Sequence, residues 1–416
     1  MDREEGQGPL AGLRVLDIAT IIAGPMAGTL MADFGAEVVK LELPGLGDGL
    51  RGFPPFREGK SLWWKVTNRG KLFGTLDLRT EDGRRLFLRM VAKSDVVIEN
   101  FRPGTLERWG LDIETLWAAN PRLVVLRLTG FGQDGPNAGL SGFARIFEAM
   151  GGLTAISGSE DQPPMHTGYP IGDPIGGLFG AFAVMAALWR LAQDRRSGGA
   201  DGQDGGEDQL RGEEIDLSLT EATFRILEVL AIEYDQLGTV RQRSGNRNLY
   251  SAPSDVYLTA DKRYVSLAGS TNRTFANNAR AIGRPELPDD PRFASNAARV
   301  ENAAELDRIF GSWLAAHSQE EAVAAFRAAQ GTLAPIYSID QIYADPQVVA
   351  RKAIAEVADE DFGTVRMQGV VPRFRHRPGR IRWAAKRLAA DNDYIYRELV
   401  GLDDAEIEQY RAKGTI

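Results

Sequence analysis

The sequence predicts an α/β fold: a doubly wound, mostly parallel sheet in a large domain, with a smaller α+β domain inserted into it. Three observations carry that expectation. Short runs such as Leu13–Ile18, Val38–Leu41, Asp95–Ile98 and Leu123–Leu128 are apolar at consecutive positions, the mark of strands buried on both faces. Helical patterns separate these runs, which is the rhythm of βαβ units. From about Gln236 the texture changes to a hairpin followed by helices, and βα character resumes at Ala334. The division expected is 1–225 for the first part of the large domain, 226–333 for the small one and 334–416 for the return.

In chain order, Leu13–Ile18 is followed by Gly24-Pro25, which opens a helix over Met26–Phe34, and Val38–Leu41 completes the first βαβ unit. The turn Ala23-Gly24-Pro25 lacks the full Gly-rich dinucleotide fingerprint, so a nicotinamide site is poorly supported. Gly45–Lys60 is a Gly/Pro-rich irregular segment of the kind that lines a site. Leu62–Val66 and Gly74–Leu78 read as short strands. Thr80 caps a helix reaching Met90, and Thr105–Trp109 and Glu114–Ala119 are short helices. Phe143, Ile146, Phe147 and Met150 share one helical face. Asp194–Glu214 is too polar to build a core and is expected as a surface loop. Ile215–Leu219 is an edge strand leading into a helix over Thr220–Tyr234. Tyr257–Thr259 and Tyr264–Ala268 form a hairpin, and Asn272–Ile282, Ala303–Ala316 and Gln319–Ala329 are helical. Ile354–Val357 and Val365–Gly369 are strand candidates. The basic run Arg373–Arg387 alternates with apolar residues, as either an anion-facing strand or a solvated edge, and helices over Asn392–Val400 and Asp403–Arg411 end the chain.

Composition narrows the function. At 416 residues, 43% hydrophobic and 25% charged, the chain has the make-up of a soluble two-domain protein. It has no cysteine, which excludes thiolate metal sites and Cys nucleophiles and fits a reducing, cytoplasmic setting. Its three histidines, His166, His317 and His376, have no ligand spacing, so no metal site is expected. A formal net charge of -8 argues against nucleic-acid partners. The acidic N-terminus is no signal peptide, and the longest apolar run, Pro174–Trp189, reads as a buried helix rather than a membrane span.

The chemistry points to Pro163–Gly177. Asp173 precedes Pro174 and a long apolar helix, which makes Asp173 the expected N-cap and Pro174 the first helical residue. Gly168, Pro170 and Gly172 deny regular structure upstream and allow backbone to approach a ligand. An Asp-Pro pair at a helix start is, taken alone, only a cap.

The blocks GLRVLDIATIIAGP (Gly12–Pro25), ADFGAEVVKLE (Ala32–Glu42), DVVIENFRPGTLERWGL (Asp95–Leu111), NPRLVVLRLTGFGQDGP (Asn120–Pro136), IGDPIGG (Ile171–Gly177), DDPRFASNAARVEN (Asp289–Asn302) and ADPQVVAR (Ala344–Arg351) follow in order. Together they resemble the family III CoA-transferases, which include formyl-CoA, carnitine and benzylsuccinate CoA-transferases. The resemblance implies a Rossmann-like large domain built from both chain ends and two ring-shaped copies interlocked as a homodimer. It implies an enzyme that moves CoA from an acyl-CoA to a free carboxylic acid, with CoA as substrate rather than resident cofactor. It implies Asp173 as nucleophile, forming aspartyl anhydride and aspartyl-CoA thioester intermediates, and CoA contacts at Ile22, Ala23, Leu43, Leu76, Asn100, Phe101, Arg102, Arg108 and Arg145.

Departures from the family pattern are visible. Gly70-Lys71-Leu72-Phe73 lacks one basic group near the nucleotide end. Ile22 replaces a glutamine of the formyl-CoA enzyme, which disfavours oxalate and formate. The alternative activity on this fold, 2-methylacyl-CoA racemisation, needs a His at the position of Phe143, and a phenyl ring carries no proton. Non-catalytic acyl-CoA binding is the other alternative. For the nucleophile, backbone N–H groups at Gly172 and Gly176-Gly177 are the expected oxyanion donors, with Arg102 and Arg108 expected on the CoA phosphates.

Overall fold

The computed structural model describes residues 8–197 and 211–416. Contacts divide the chain into one unit of Met1–Leu153, Thr167–Ile232 and Ala350–Ile416 and a second of Thr154–His166 and Glu233–Val349. In the first unit six strands pair in parallel: β1 (Arg14–Asp17), β2 (Glu37–Glu42), β3 (Leu72–Thr75), β4 (Val96–Glu99), β5 (Val124–Thr129) and β6 (Glu213–Ser218). Their order is β3-β2-β1-β4-β5-β6, the doubly wound order, so the chain winds outward both ways from β1.

Neighbouring residues of each strand face opposite sides. Leu16, Val39, Val97 and Val125 bury one face against Phe87 and Leu399. Val15, Val38, Val96 and Val124 bury the other against Met31 and Val184. This is why the strands read as unbroken apolar runs.

The helices of this unit are α1 (Ala23–Asp33), α2 (Leu62–Thr67), α3 (Glu81–Val91), α4 (Thr105–Arg108), α5 (Ile113–Ala119), α6 (Ala144–Met150), α7 (Leu153–Ile156, which crosses into the second unit), α8 (Gly172–Ser197) and α9 (Leu219–Arg225). Several depart from expectation. Leu62–Val66 is helical, not a strand, because the Ser61 hydroxyl accepts the Trp64 N–H and starts α2. The helix expected over Thr220–Tyr234 breaks after Arg225 and resumes as α10 (Val229–Leu237). Helix α8 begins at Gly172, so Asp173 lies in its first turn and is not the cap. By length and composition α8 could cross a membrane, but Val184 and Leu191 pack into the sheet's core, and Leu178, Phe182 and Trp189 are exposed. The expected Asp194–Glu214 loop falls mostly outside the described residues.

The edge of β3 is covered by the chain's last segment. Phe73 N–H donates to Asp391, and Thr75 N–H donates to Asn392 Oδ1, each at 2.9 Å. The Asn392 amide donates back to Thr75 Oγ1, and the buried Tyr396 hydroxyl to the Thr75 carbonyl at 2.6 Å. An open sheet edge is thereby closed with side chains instead of a seventh strand. The basic run Arg373–Arg387 forms no strand. Its Arg382 donates to the Ala36 and Gly70 carbonyls, and its Trp383 to Lys71 O.

Ion pairs are buried beneath the strand ends. Lys71 Nζ lies 2.7 Å from Asp17 Oδ2 and 2.7 Å from Pro25 O in α1. Lys40 Nζ lies 3.0 Å from Asp48 and 3.7 Å from Asp17. Burial pushes the Lys71 ammonium down to about 8, Asp17 opposing. For Lys40, burial acts downward but Asp17 and Asp48 prevail and hold its pKa above the ordinary value.

In the second unit β7 (Ser254–Leu258), β8 (Tyr264–Ala268) and β9 (Leu333–Pro335) form an antiparallel sheet in the order β9-β8-β7. Phe275, Phe310 and Phe326 from its helices pack on Val265 and Leu267. The segment at Ala334, expected to resume the large domain, pairs with β8 instead, and the first unit resumes at Ala350. β10 (Ile354–Asp359) and β11 (Gly363–Gln368) form a separate hairpin.

Asp17→Asn should destabilise the protein by about 3–5 kcal/mol, because two buried ammonium groups lose their shared carboxylate. Asn392→Ala should cost about 1–3 kcal/mol by orphaning the Thr75 N–H. Urea midpoints for both variants test this ranking, which fails if Asp17→Asn proves the milder change.

Candidate active site

Helix α8 reaches the site because its glycines let it press on its neighbours. A Cβ on Gly177 would stand 3.0 Å from the Ala23 carbonyl oxygen and from Met26 Cβ, and one on Gly176 only 2.1 Å from Leu219 Cδ2. Close packing on α1 and α9 therefore fixes where the helix begins. Its first N–H, from Gly172, donates to Glu148 Oε1 on α6 at 3.0 Å. The cap thus comes from Glu148, and the capping role the sequence gave to Asp173 is already filled. The Gly172 N–H is accordingly taken up by Glu148 rather than held for an oxyanion, and Gly176 and Gly177 serve packing within α8.

Asp173 is only 8% exposed. Burial first, and Glu148 second, push its carboxyl up to about 7. Tyr169, in the loop before α8, packs its ring against Trp63 with centroids 5.7 Å apart, and burial first, with the Asp173 charge behind it, raises its phenol above the ordinary value. Phe53 continues this aromatic row at 6.3 Å from Trp63. Such a carboxylate is a stronger base than an ordinary one and, being buried, is shielded from water.

A second feature lies at the carboxyl ends of the strands, where α/β sheets bind ligands. A cleft of about 270 Å³ is lined by Ile18, Thr20, Leu43, Leu76, Phe101 and Trp109, among others. Three expected CoA contacts, Leu43, Leu76 and Phe101, meet there. Asn100 stands where β1 and β4 diverge, accepting the Thr20 N–H at 2.7 Å and donating to the Thr20 carbonyl at 2.8 Å. Ile22 and Ala23 are buried, Ile22 in a cluster with Leu50, Trp64 and Phe73. Arg102 and Arg108 are exposed and bond Ser141 and Thr105. Arg145 is exposed on α6. The structure thus gathers Leu43, Leu76 and Phe101 in one cleft, packs Ile22 and Ala23 inside the fold and leaves the arginines at the surface. Lys71, read as part of the nucleotide end, is instead spent on Asp17 inside the fold.

Glu148, Trp63 and Tyr169 were not singled out by sequence. Of the four apolar residues that share a face at α6, Phe143, Ile146 and Met150 are exposed and Phe147 is buried, while Glu148 is 1% exposed. Among the described residues no group of three or more His, Asp or Glu side chains is placed to hold a metal.

A family model for CoA-transferase family III matches residues 10–392. The chain is 40% identical to the succinyl-CoA–D-citramalate CoA-transferase of Chloroflexus aurantiacus, over 98% of each chain. It is 36% identical to the succinyl-CoA–L-malate CoA-transferase beta subunit of that organism, again over 98% of each. A succinate–glutarate CoA-transferase of Agrobacterium fabrum is 35% identical over 86% of this chain and 87% of its own. The crystal structure of a CaiB/BaiF family protein from Brucella suis superposes with a TM-score of 0.79 at 32% identity, covering 94% of this chain and 99% of that one. With its sheet, its inserted α+β unit and these matches, the chain belongs to CoA-transferase family III, the CaiB/BaiF group, and is an enzyme that moves CoA between an acyl-CoA and a carboxylate.

Proposed function

We propose that Asp173 is the nucleophile of this transfer. The observation that carries the reading is a buried carboxylate at a loop–helix junction with its pKa raised to about 7. In this reading Asp173 attacks the donor thioester and expels CoA thiolate, leaving an aspartyl–acyl anhydride. The thiolate returns to the aspartyl carbonyl, the donor acid leaves, and an aspartyl-CoA thioester remains. The acceptor carboxylate attacks that thioester, and the same steps run backwards to the new acyl-CoA. An activated acyl group is kept at every stage, as thioester or anhydride, so the steps need no ATP. CoA lies along the switch-point cleft, with Leu43, Leu76 and Phe101 against its apolar parts and Ile22, Ala23 and Asn100 shaping the turn beside it. Arg102 and Arg108 serve its phosphates and Arg145 is a further CoA contact, roles supported by their exposure.

For substrates we propose succinyl-CoA as donor and a C4–C5 dicarboxylic acid as acceptor. Support comes from the relatives named for succinyl-CoA with D-citramalate or L-malate, and for succinate with glutarate. The acting form is a cytoplasmic homodimer whose large domain uses both chain ends and whose two copies interlock. Exposed Phe143, Ile146 and Met150 on α6, with Leu178, Phe182 and Trp189 on α8, support a second copy as their cover.

Incubating the enzyme with a panel of acyl-CoA donors and free acids, with every new thioester identified by mass, tests the substrates. Succinyl-CoA with a dicarboxylate should dominate, and a preference for formyl-CoA with oxalate would overturn the assignment. Asp173→Ala should fold and lose at least about 10³-fold in turnover, since the covalent route is gone. Full turnover by that variant would reject the nucleophile.

Ionised Asp173 is the reactive form, so kcat/KM should fall about tenfold per pH unit below about 7. Stability should run the other way. Between the ordinary carboxylate pKa and 7 the folded state binds more protons than the unfolded, so Asp173 costs stability increasingly as pH rises. Asp173→Ala should therefore be about 2 kcal/mol more stable than the parent at pH 8, an advantage that shrinks by pH 5. Denaturation midpoints at the two pH values check the sign. Light scattering on the native protein should give a dimer, and rapid exchange between tagged copies without denaturant would refute interlocking.

A further inference from the structure

Glu148 lies where no sequence pattern would place a charged group. It is 1% exposed, on the buried side of α6 beside the apolar Ala144 and Phe147. Its Oε1 accepts the N–H of Gly172, the residue immediately before Asp173. Its stem also packs beside that residue, since a Cβ on Gly172 would stand 3.4 Å from Glu148 Cγ, an ordinary contact distance. Two carboxylates thus share the first turn of one helix.

The other groups around that turn are few. Tyr169, from the preceding loop, is the further titratable group coupled to Asp173. At the same turn α1 presents Ala23 and Met26, and α9 presents Thr223 and Leu219, none of them ionisable. After burial, Glu148 is the cause acting on the Asp173 carboxyl.

Resting on the reading of Asp173 as nucleophile, we propose that Glu148 is a positioning residue of the transfer: it holds the first turn of α8 through the Gly172 amide and sets its charge against the Asp173 carboxylate, a repulsion that ends when Asp173 is acylated. The net half-reaction takes enzyme carboxylate and acyl-CoA to enzyme thioester and free acid. One C–S bond breaks and one forms, and neither proton nor water is consumed. A negative charge beside Asp173 is unfavourable only while Asp173 is itself an anion. Glu148 therefore raises the reactivity of the free carboxylate and tilts the half-reaction toward the CoA-loaded enzyme. This effect is separate from the hydrogen bond to Gly172, which an uncharged amide oxygen can also accept.

Glu148→Gln keeps that hydrogen bond and removes the charge. Glu148→Met removes both at similar volume, and circular dichroism checks that each variant folds. Two readouts respond to charge and not to a structural anchor. The acid limb of kcat/KM should move down by about half a pH unit or more in both variants. The equilibrium ratio of CoA-loaded to free enzyme, read by intact mass at fixed succinyl-CoA and succinate, should fall about threefold or more. If the folded variants keep the parent's acid limb and loading ratio, Glu148 is only an anchor and the proposal fails. Asp173→Ala is the control for the underlying reading. A CoA adduct on that variant would overturn the nucleophile itself, whatever Glu148 does.

Discussion

The architecture around the site depends on one buried carboxylate. Asp17 ends β1 at the point where the sheet changes its winding direction, and it has no contact with water. Lys71 reaches it from the turn before β3, and Lys40 from β2. Through Lys71 the same charge also grips the Pro25 carbonyl in the first turn of α1. Two strands, a turn and a helix start are therefore referenced to a single side chain. Replacing such a network with apolar residues can leave stability unchanged, whereas removing one partner leaves charges stranded. The cluster thus fixes geometry more than it adds free energy. The geometry it fixes is that of β1, β2 and the start of α1, next to Thr20, which Asn100 holds from the end of β4.

A second division of labour determines what Asp173 can do. A carboxylate that caps its own helix accepts backbone N–H bonds, and these lower its pKa and its basicity. Here Glu148 takes the capping bond from another helix. Asp173 is left in the first turn, shielded from water, with its carboxyl raised rather than lowered. The glycines of α8 are part of the same arrangement, because only a helix pressed against Ala23 and Leu219 brings its first turn to Glu148.

Most of the sheet was legible because each of its central strands is apolar on both sides, a pattern that survives without knowledge of neighbours. The start of α8 was legible because Asp-Pro before an apolar run is a local signal, although the cap it suggested for Asp173 falls to Glu148. What was not legible depended on distant partners. Leu62-Trp63-Trp64 reads as a strand until Ser61 is seen to cap it. Glu148 reads as the polar side of an amphipathic helix, and only a partner 24 residues further on explains its burial. The run around Arg382 alternates like a strand, yet its donors are used on the carbonyls of Ala36 and Gly70. Ala334 has βα texture, but its pairing partner, β8, lies some way back along the chain.

The cover over β3 has a consequence for how the protein is made. The strand that needs it spans Leu72–Thr75, while the groups that close it, Asp391, Asn392 and Tyr396, are synthesised 317 or more residues later. Until they emerge, a nascent chain can assemble the winding of the sheet but keeps one flank open, with donors and acceptors ready for any other strand. The whole second unit is translated during that interval. Loss of the segment carrying Asp391, Asn392 and Tyr396, by premature termination or by proteolysis, therefore leaves Asp173 and its helix in the chain and removes the element that keeps the sheet from pairing with its neighbours.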